Sequence, residues 1–307
     1  MSAVDLFASS RVLVVAGKGG VGKTTVGATI GLAASRAGRD VLLVELEGLS
    51  TVGAPFGHHD LGYQPTVIAG ESGAGAQAAG AQLRARRITP DEALADYLAT
   101  SGLSSITDRM ARSGAVDVVA TAAPGIRDLV TLGKIRQLEE AQDADLIVVD
   151  APAAGHAITF LTSAEGLART TPSGPIRQQA DQVLDMLGDA SRCQVVLVTV
   201  PEESPVTELI ETAYALEDRV GVALGPVVMN GVWPTVPGLA DTGHGPLADA
   251  ARYRLARVAA QRREIDRLRT ELPLPLFSLP YLFSTEIDSA GIGVLADSLA
   301  GVEGMDR

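Results

Sequence analysis

The residues best equipped for chemistry in this chain run Gly17-Lys18-Gly19-Gly20-Val21-Gly22-Lys23-Thr24-Thr25. Their spacing, G-x-x-x-x-G-K-[ST], holds polyphosphate when it joins a strand to a helix. Glycines let backbone N–H groups turn inward and approach phosphate oxygens where a Cβ would collide. The positive end of the following helix adds its partial charge to that nest. In such a loop Lys23 reaches the β- and γ-phosphates, and the Thr24 hydroxyl sits on Mg²⁺.

Lys18 stands directly after the first glycine, although Lys23 already supplies the cradle's charge. The chain has 25 basic residues, yet lysine occurs only at Lys18, Lys23 and Lys134. Two of the three thus fall in one loop, and Lys18 is surplus unless it reaches a second nucleotide. The same stretch also satisfies G-x-G-x-x-G through Gly17, Gly19 and Gly22, with Glu45 and Glu47 following where a dinucleotide fold places its ribose carboxylate. A dinucleotide site has no use for a lysine and a metal-binding hydroxyl at the helix start, so Gly22-Lys23-Thr24 favours a triphosphate with Mg²⁺. A second carboxylate, Asp150, ends the apolar run Leu146-Ile147-Val148-Val149. At a strand terminus beside the phosphate loop it can hold the water shell of Mg²⁺.

The elements that position these residues are legible as alternating apolar runs and helical patterns. Arg11–Ala16 leads into the loop, and Val41–Val44, Leu146–Asp150, Val195–Val200 and Val222–Met229 read as further strands, with Leu274–Leu279 a shorter last one. Ser204–Arg219 and the arginine-rich Leu247–Thr270 are the clearest helices. Near-continuous apolar strands alternating with helices predict an α/β fold, a mostly parallel central sheet with helices on both faces. Residues 48–80 are rich in Gly, Ala and Pro with little periodicity, and helical patterns follow near Pro90–Thr100 and Leu103–Ser113. A mobile and helical insertion over about 48–115 is the expectation.

Composition excludes other classes. A net charge of −12 disfavours nucleic acid and anionic membrane as direct partners. There is no apolar run of membrane-spanning length and no signal-peptide pattern, which predicts a cytoplasmic chain. The single cysteine, Cys193, forms no disulfide framework and no Cys-x-x-Cys metal site.

Lys18–Thr25 resembles the variant phosphate loop of the ArsA arsenite-pump ATPases, the tail-anchored-protein targeting ATPases and the MinD/ParA positioning ATPases. Asp150–His156 with Ala157–Leu161 looks like the second switch of the ArsA and tail-anchor branch. Ala123–Leu129 with Leu132–Ile135 is similar to its segment before that switch. Val228-Met229-Asn230 and Pro280-Tyr281-Leu282 are similar to its adenine-binding strand end and late proline turn. The resemblance covers nearly the whole chain and implies a single P-loop ATPase domain over 1–307, with ATP and Mg²⁺ as cofactors. Gly17, Gly19, Gly20, Val21, Gly22, Lys23, Thr24 and Thr25 would bind phosphate, Asn230 and Pro280 the adenine, and Thr24 and Asp150 the metal. It also implies a dimer, with itself or with a paralogous ATPase, in which Lys18 reaches the partner's phosphates as an arginine finger does. ATP turnover would change the shape of the pair and so handle a client protein or membrane partner.

Three departures qualify that implication. Where the family carries a water-positioning aspartate, this chain has Glu47, which leaves open an ATP-binding, weakly hydrolysing regulatory or scaffold subunit. The family's arsenite- and zinc-binding cysteines are absent, so neither site is expected within one chain. Of five methionines only Met110 falls in the insertion, so no methionine-rich groove for apolar helices is evident. The remaining alternative, a MinD/ParA-like positioning ATPase, expects a basic amphipathic tail that Gly291–Arg307 does not supply.

Overall fold

In a computed structural model of the chain, the described residues are 3–46, 52–70, 81–100, 125–239 and 243–301. Strand β1 (Val12–Gly17) is buried along its whole length. Valine and leucine on both faces suit a strand covered from either side. It pairs in parallel with β5 (Leu146–Ala153) on one side and β6 (Cys193–Thr199) on the other. Outward from β5 lie β2 (Val41–Leu46), β4 (Leu83–Ile88) and β3 (Thr66–Ala69); outward from β6 lie β7 (Ala223–Val232) and β8 (Leu276–Pro280). The sheet order is β3-β4-β2-β5-β1-β6-β7-β8, and only β3, against β4, is antiparallel.

Alternation along each strand splits the core into two layers. Leu13, Val15, Leu43 and Val148 face one side with α1 (Ala3–Phe7), α2 (Lys23–Arg36) and α9 (Ser289–Ala300). Val12, Val14, Val44 and Val149 face the other side. There they meet α3 (Pro90–Thr100), α4 (Ile126–Glu140), α5 (Ala154–Thr170), α6 (Pro175–Gly188), α7 (Glu203–Val220) and α8 (Pro246–Glu271). The expected P-loop NTPase architecture is therefore the one observed, with helices on both faces.

The stretch 48–115 differs from the expectation of loop and helix. It supplies β3 and also β4, which pairs with β2 over six residues as an integral member of the sheet. Three arginines in Leu83-Arg84-Ala85-Arg86-Arg87-Ile88 disguise that strand. Each is accommodated by a partner: Arg84 by Asp40 at 2.8 Å, Arg86 by the Tyr63 ring at 4.5 Å, and Arg87 by Glu45 at 2.7 Å. Buried guanidinium groups are tolerated when paired in this way. The helix expected at Pro90–Thr100 is α3, while Leu103–Ser113 and Met110 lie outside the described residues. Among the described residues, no helix is long and apolar enough to cross a membrane.

Candidate phosphate-loop site

The carboxyl ends of β1, β2, β5, β6 and β7 converge on the loop between β1 and α2. Gly17 closes β1 so tightly against β6 that a Cβ there would collide with the Val198 carbonyl oxygen. Gly20 and Gly22 have φ of 84° and 89°, the left-handed region that glycine occupies without steric cost. Gly22 also backs onto the Asn230 side chain, leaving no room for a Cβ. It caps α2 without any side-chain hydrogen bond, so the first N–H groups of the helix remain available to an anion. Gly19 and Gly20 are exposed, whereas Val21 is buried and anchors the loop.

Lys23 is the first residue of α2, and its Nζ donates to the Lys18 carbonyl oxygen at 3.3 Å. Burial lowers its pKa from the ordinary lysine value, and the nearby Asp150 carboxylate opposes that shift. The next residue, Thr24, donates its Oγ1 proton to Asp150 Oδ2 at 2.6 Å. Asp150 is only 3% exposed, and its Oδ1 is buried without a hydrogen-bond partner. Burial pushes this carboxyl up to about 6, against the pull of Thr24 and Lys23, and Glu45 adds to the rise. A hard cation needs oxygen ligands. A threonine hydroxyl and a carboxylate with an orphaned oxygen fit one, and a bound cation would relieve the cost of burying that charge. Thr25 continues α2, its carbonyl accepting a hydrogen bond from Thr29 Oγ1 at 2.8 Å.

Glu45 lies on β2 in register with Asp150 but has another task. Fully buried, it accepts hydrogen bonds from the Val52 N–H at 3.0 Å and from Arg87 Nε at 2.7 Å. It thereby ties Val52 to the sheet, and it is not free to hold a ribose. Glu47 lies outside the described residues.

Asn230 is brought to the site, in a bracing position: its Nδ2 donates to the Val21 carbonyl at 2.9 Å. Pro280 ends β8, in register with Val232, and Tyr281 N–H donates to the Val232 carbonyl at 2.8 Å. Lys18 points toward α7, where its Nζ meets Glu208 Oε1 at 2.8 Å and Ser204 Oγ at 2.9 Å. Those two partners were missed in the sequence because nothing local marks them; they are 190 and 186 residues away. At Gly155, a Cβ would meet nothing within 4 Å, so crowding does not require glycine there.

Loop, helix start and strand-end carboxylate together define the class: a P-loop nucleotide-binding protein built on a mostly parallel sheet. Within that class the chain belongs to the ArsA family of anion-transporting ATPases, whose sequence model matches residues 10–171. It is 34% identical over 227 residues to the ATPase BagA of Mycobacterium tuberculosis, covering 72% of this chain and 64% of that protein. It is 28% identical over 305 residues to an arsenical pump-driving ATPase of Escherichia coli, covering 92% of this chain and 48% of the relative. The arsenical pump-driving ATPase of Acidiphilium multivorum is 27% identical over 307 residues, with the same 92% and 48% coverage. The chain thus spans less than two thirds of the length of these curated relatives.

Proposed function

We propose that this chain is a Mg²⁺-dependent ATP hydrolase that works as a nucleotide-gated dimer. The observation that carries this reading is the Thr24–Asp150 pair beside Lys23, a metal-ligating couple set at the rim of a complete phosphate cradle. The loop N–H groups and Lys23 bind and orient the β- and γ-phosphates, and Thr24 and Asp150 would hold the ion. Mg²⁺, when bound, supplies charge neutralisation on the phosphate oxygens. The protein's own contribution is then positioning and electrostatic stabilisation, which phosphoryl transfer mostly requires. Glu47 orients the attacking water, and Lys18 is given to the partner's phosphates, where it offsets charge developing on the transferred group.

Closing the pair around ATP moves the helical layers relative to one another, and this change of shape is what handles a client protein or membrane partner. Two of the relatives are named as arsenical pump-driving ATPases, and by that likeness the partner here would be a pump protein. Arsenite itself is not proposed as a ligand of this chain. Three thiolates would be needed, and Cys193 is the single cysteine, buried with its thiol pushed up to about 12 by desolvation. The pair forms between identical chains or with a paralogue, in the cytoplasm.

Steady-state phosphate release with and without Mg²⁺, measured alongside mass by light scattering with and without ATP, tests the proposal. Mg²⁺-dependent turnover with ATP-favoured pairing is the expected result. Binding of nicotinamide dinucleotide in place of ATP would overturn it.

A further inference from the structure

Lys18 is not idle in the single chain. Its ammonium is held in cis by two side chains one turn apart on α7, Ser204 Oγ at 2.9 Å and Glu208 Oε1 at 2.8 Å. Residues four apart on a helix share a face, so both groups are presented to the phosphate loop together. The helix beneath them is a fixed platform. Val206 and Leu209 are buried in the core, and Arg267 holds Thr207 at 2.8 Å. Arg257 of α8 reaches Glu202, just before the helix, at 2.5 Å.

We propose that Ser204 and Glu208 form a latch that competes with a partner's phosphates for Lys18, and so set the threshold for pairing. This rests on the reading of Lys18 as the lysine that reaches the partner's phosphates. An ammonium has three donors, and two are engaged in cis, so a phosphate across an interface competes with Ser204 and Glu208 for the same charge. The two destinations therefore compete.

The latch is also wired to the nucleotide of its own chain. Lys23 Nζ donates to the Lys18 backbone carbonyl at 3.3 Å. Phosphates that claim the Lys23 ammonium remove this tether from the residue that must move. Bound nucleotide thus loosens Lys18 before any partner arrives.

Magnitude decides what kind of device this is. The Lys18 and Glu208 side chains are 35% and 44% exposed, so water compensates each when the pair opens. Half-exposed ion pairs of this kind shift an equilibrium by a few-fold, not by orders of magnitude. Ser204 and Glu208 therefore tune pairing and do not forbid it. Glu208 acts through Lys18 and is a positioning residue.

The test is the dissociation constant of the dimer in ATP and Mg²⁺, by sedimentation, for wild type, Glu208→Gln, Ser204→Ala, Lys18→Ala and Lys18→Ala/Glu208→Gln. Release of the latch should lower the constant about three-fold in Glu208→Gln, and by less in Ser204→Ala. ATP affinity at protein concentrations where the chain is single should tighten by no more than the same few-fold, because the coupling between latch and nucleotide is reciprocal. In the Lys18→Ala background, Glu208→Gln should have no further effect, because the two residues act as one unit. If Glu208→Gln leaves the constant unchanged or raises it while Lys18→Ala weakens pairing, the latch is wrong and the trans-acting lysine stands. If Lys18→Ala pairs and turns over like wild type, or if no variant pairs with ATP, the trans-lysine reading falls and takes the latch with it.

Discussion

Thr24 Oγ1 lies 2.6 Å from Asp150 Oδ2, although 126 residues separate them along the chain. The contact exists because β1 and β5 are parallel neighbours, with Val15 in register with Asp150. One strand delivers the carboxylate to the same end of the sheet at which the other opens into the phosphate loop. Its other oxygen, Oδ1, has no hydrogen-bond partner, which leaves the carboxylate able to serve a cation.

Replacing that carboxylate should weaken metal use selectively. Asp150→Asn keeps the shape and can still accept from Thr24, but it loses the charge. Magnesium titrations of ATP turnover should show an apparent metal affinity lower by about 10- to 100-fold, with nucleotide binding in the absence of metal little changed.

Asp150 also sets a pH dependence of the nucleotide-free chain. Its carboxyl is raised from 3.8 to about 6, chiefly by burial, so the native state binds its proton more tightly than the unfolded state does. An acid raised in this way destabilises the fold once it is ionised. Its contribution therefore improves as pH falls from about 6 to about 4 and is constant above that window. Denaturant unfolding without metal should show wild type gaining up to about 3 kcal/mol relative to Asp150→Asn across that interval.

Gly17→Ala should be the most damaging single change in the loop. Its Cβ would meet a backbone carbonyl of β6, which cannot rotate away as a flexible side chain can. A loss of about 1–3 kcal/mol in thermal unfolding, with loss of ATP binding, is the expected outcome. Gly19→Ala meets no atom within 4 Å and should fold with wild-type stability.

Glu45→Ala should destabilise the chain without any loss of phosphate-loop groups. It takes from Arg87, whose side chain is 31% exposed, its 2.7 Å carboxylate partner, and it leaves the Val52 N–H without its acceptor. Denaturation midpoints should report a cost of about 2–3 kcal/mol. Glu45→Gln, which can still accept from Val52, should recover part of it.

Asn230→Ala removes the brace under the loop. The Val21 carbonyl loses its 2.9 Å donor, a change of about 1 kcal/mol in stability. ATP affinity measured by titration calorimetry should fall several-fold because the cradle is less well preorganised.

How much of this was legible beforehand varies with the range of the interaction. The strands at Val12–Gly17, Val41–Leu46 and Leu146–Ala153 announce themselves because both of their faces are buried and nearly every residue, Glu45 and Asp150 apart, is apolar. Strand β4 does not. Its arginines face partners supplied by Asp40, Tyr63 and Glu45, which become neighbours only after the sheet forms. The resemblance places Asn230 at the adenine, and the structure gives its amide a bond to the loop itself.

The sequence by itself determined the phosphate loop, because its function resides in consecutive residues. Two glycines with positive φ, a lysine and a threonine at the first helical turn need only one another and the helix that follows. The hydrophobic runs likewise determined a parallel sheet covered on both faces. Only the tertiary structure decided which carboxylate serves the loop and which serves the fold. Asp150 and Glu45 both sit on apolar strands and lie in register, yet one bonds Thr24 and the other binds Arg87 and Val52. It alone decided where Lys18 rests, since α7 is brought beneath the loop by the placement of β6 beside β1. Strand order sets these neighbours, and strand order is a property of the folded chain as a whole, not of any local pattern in it.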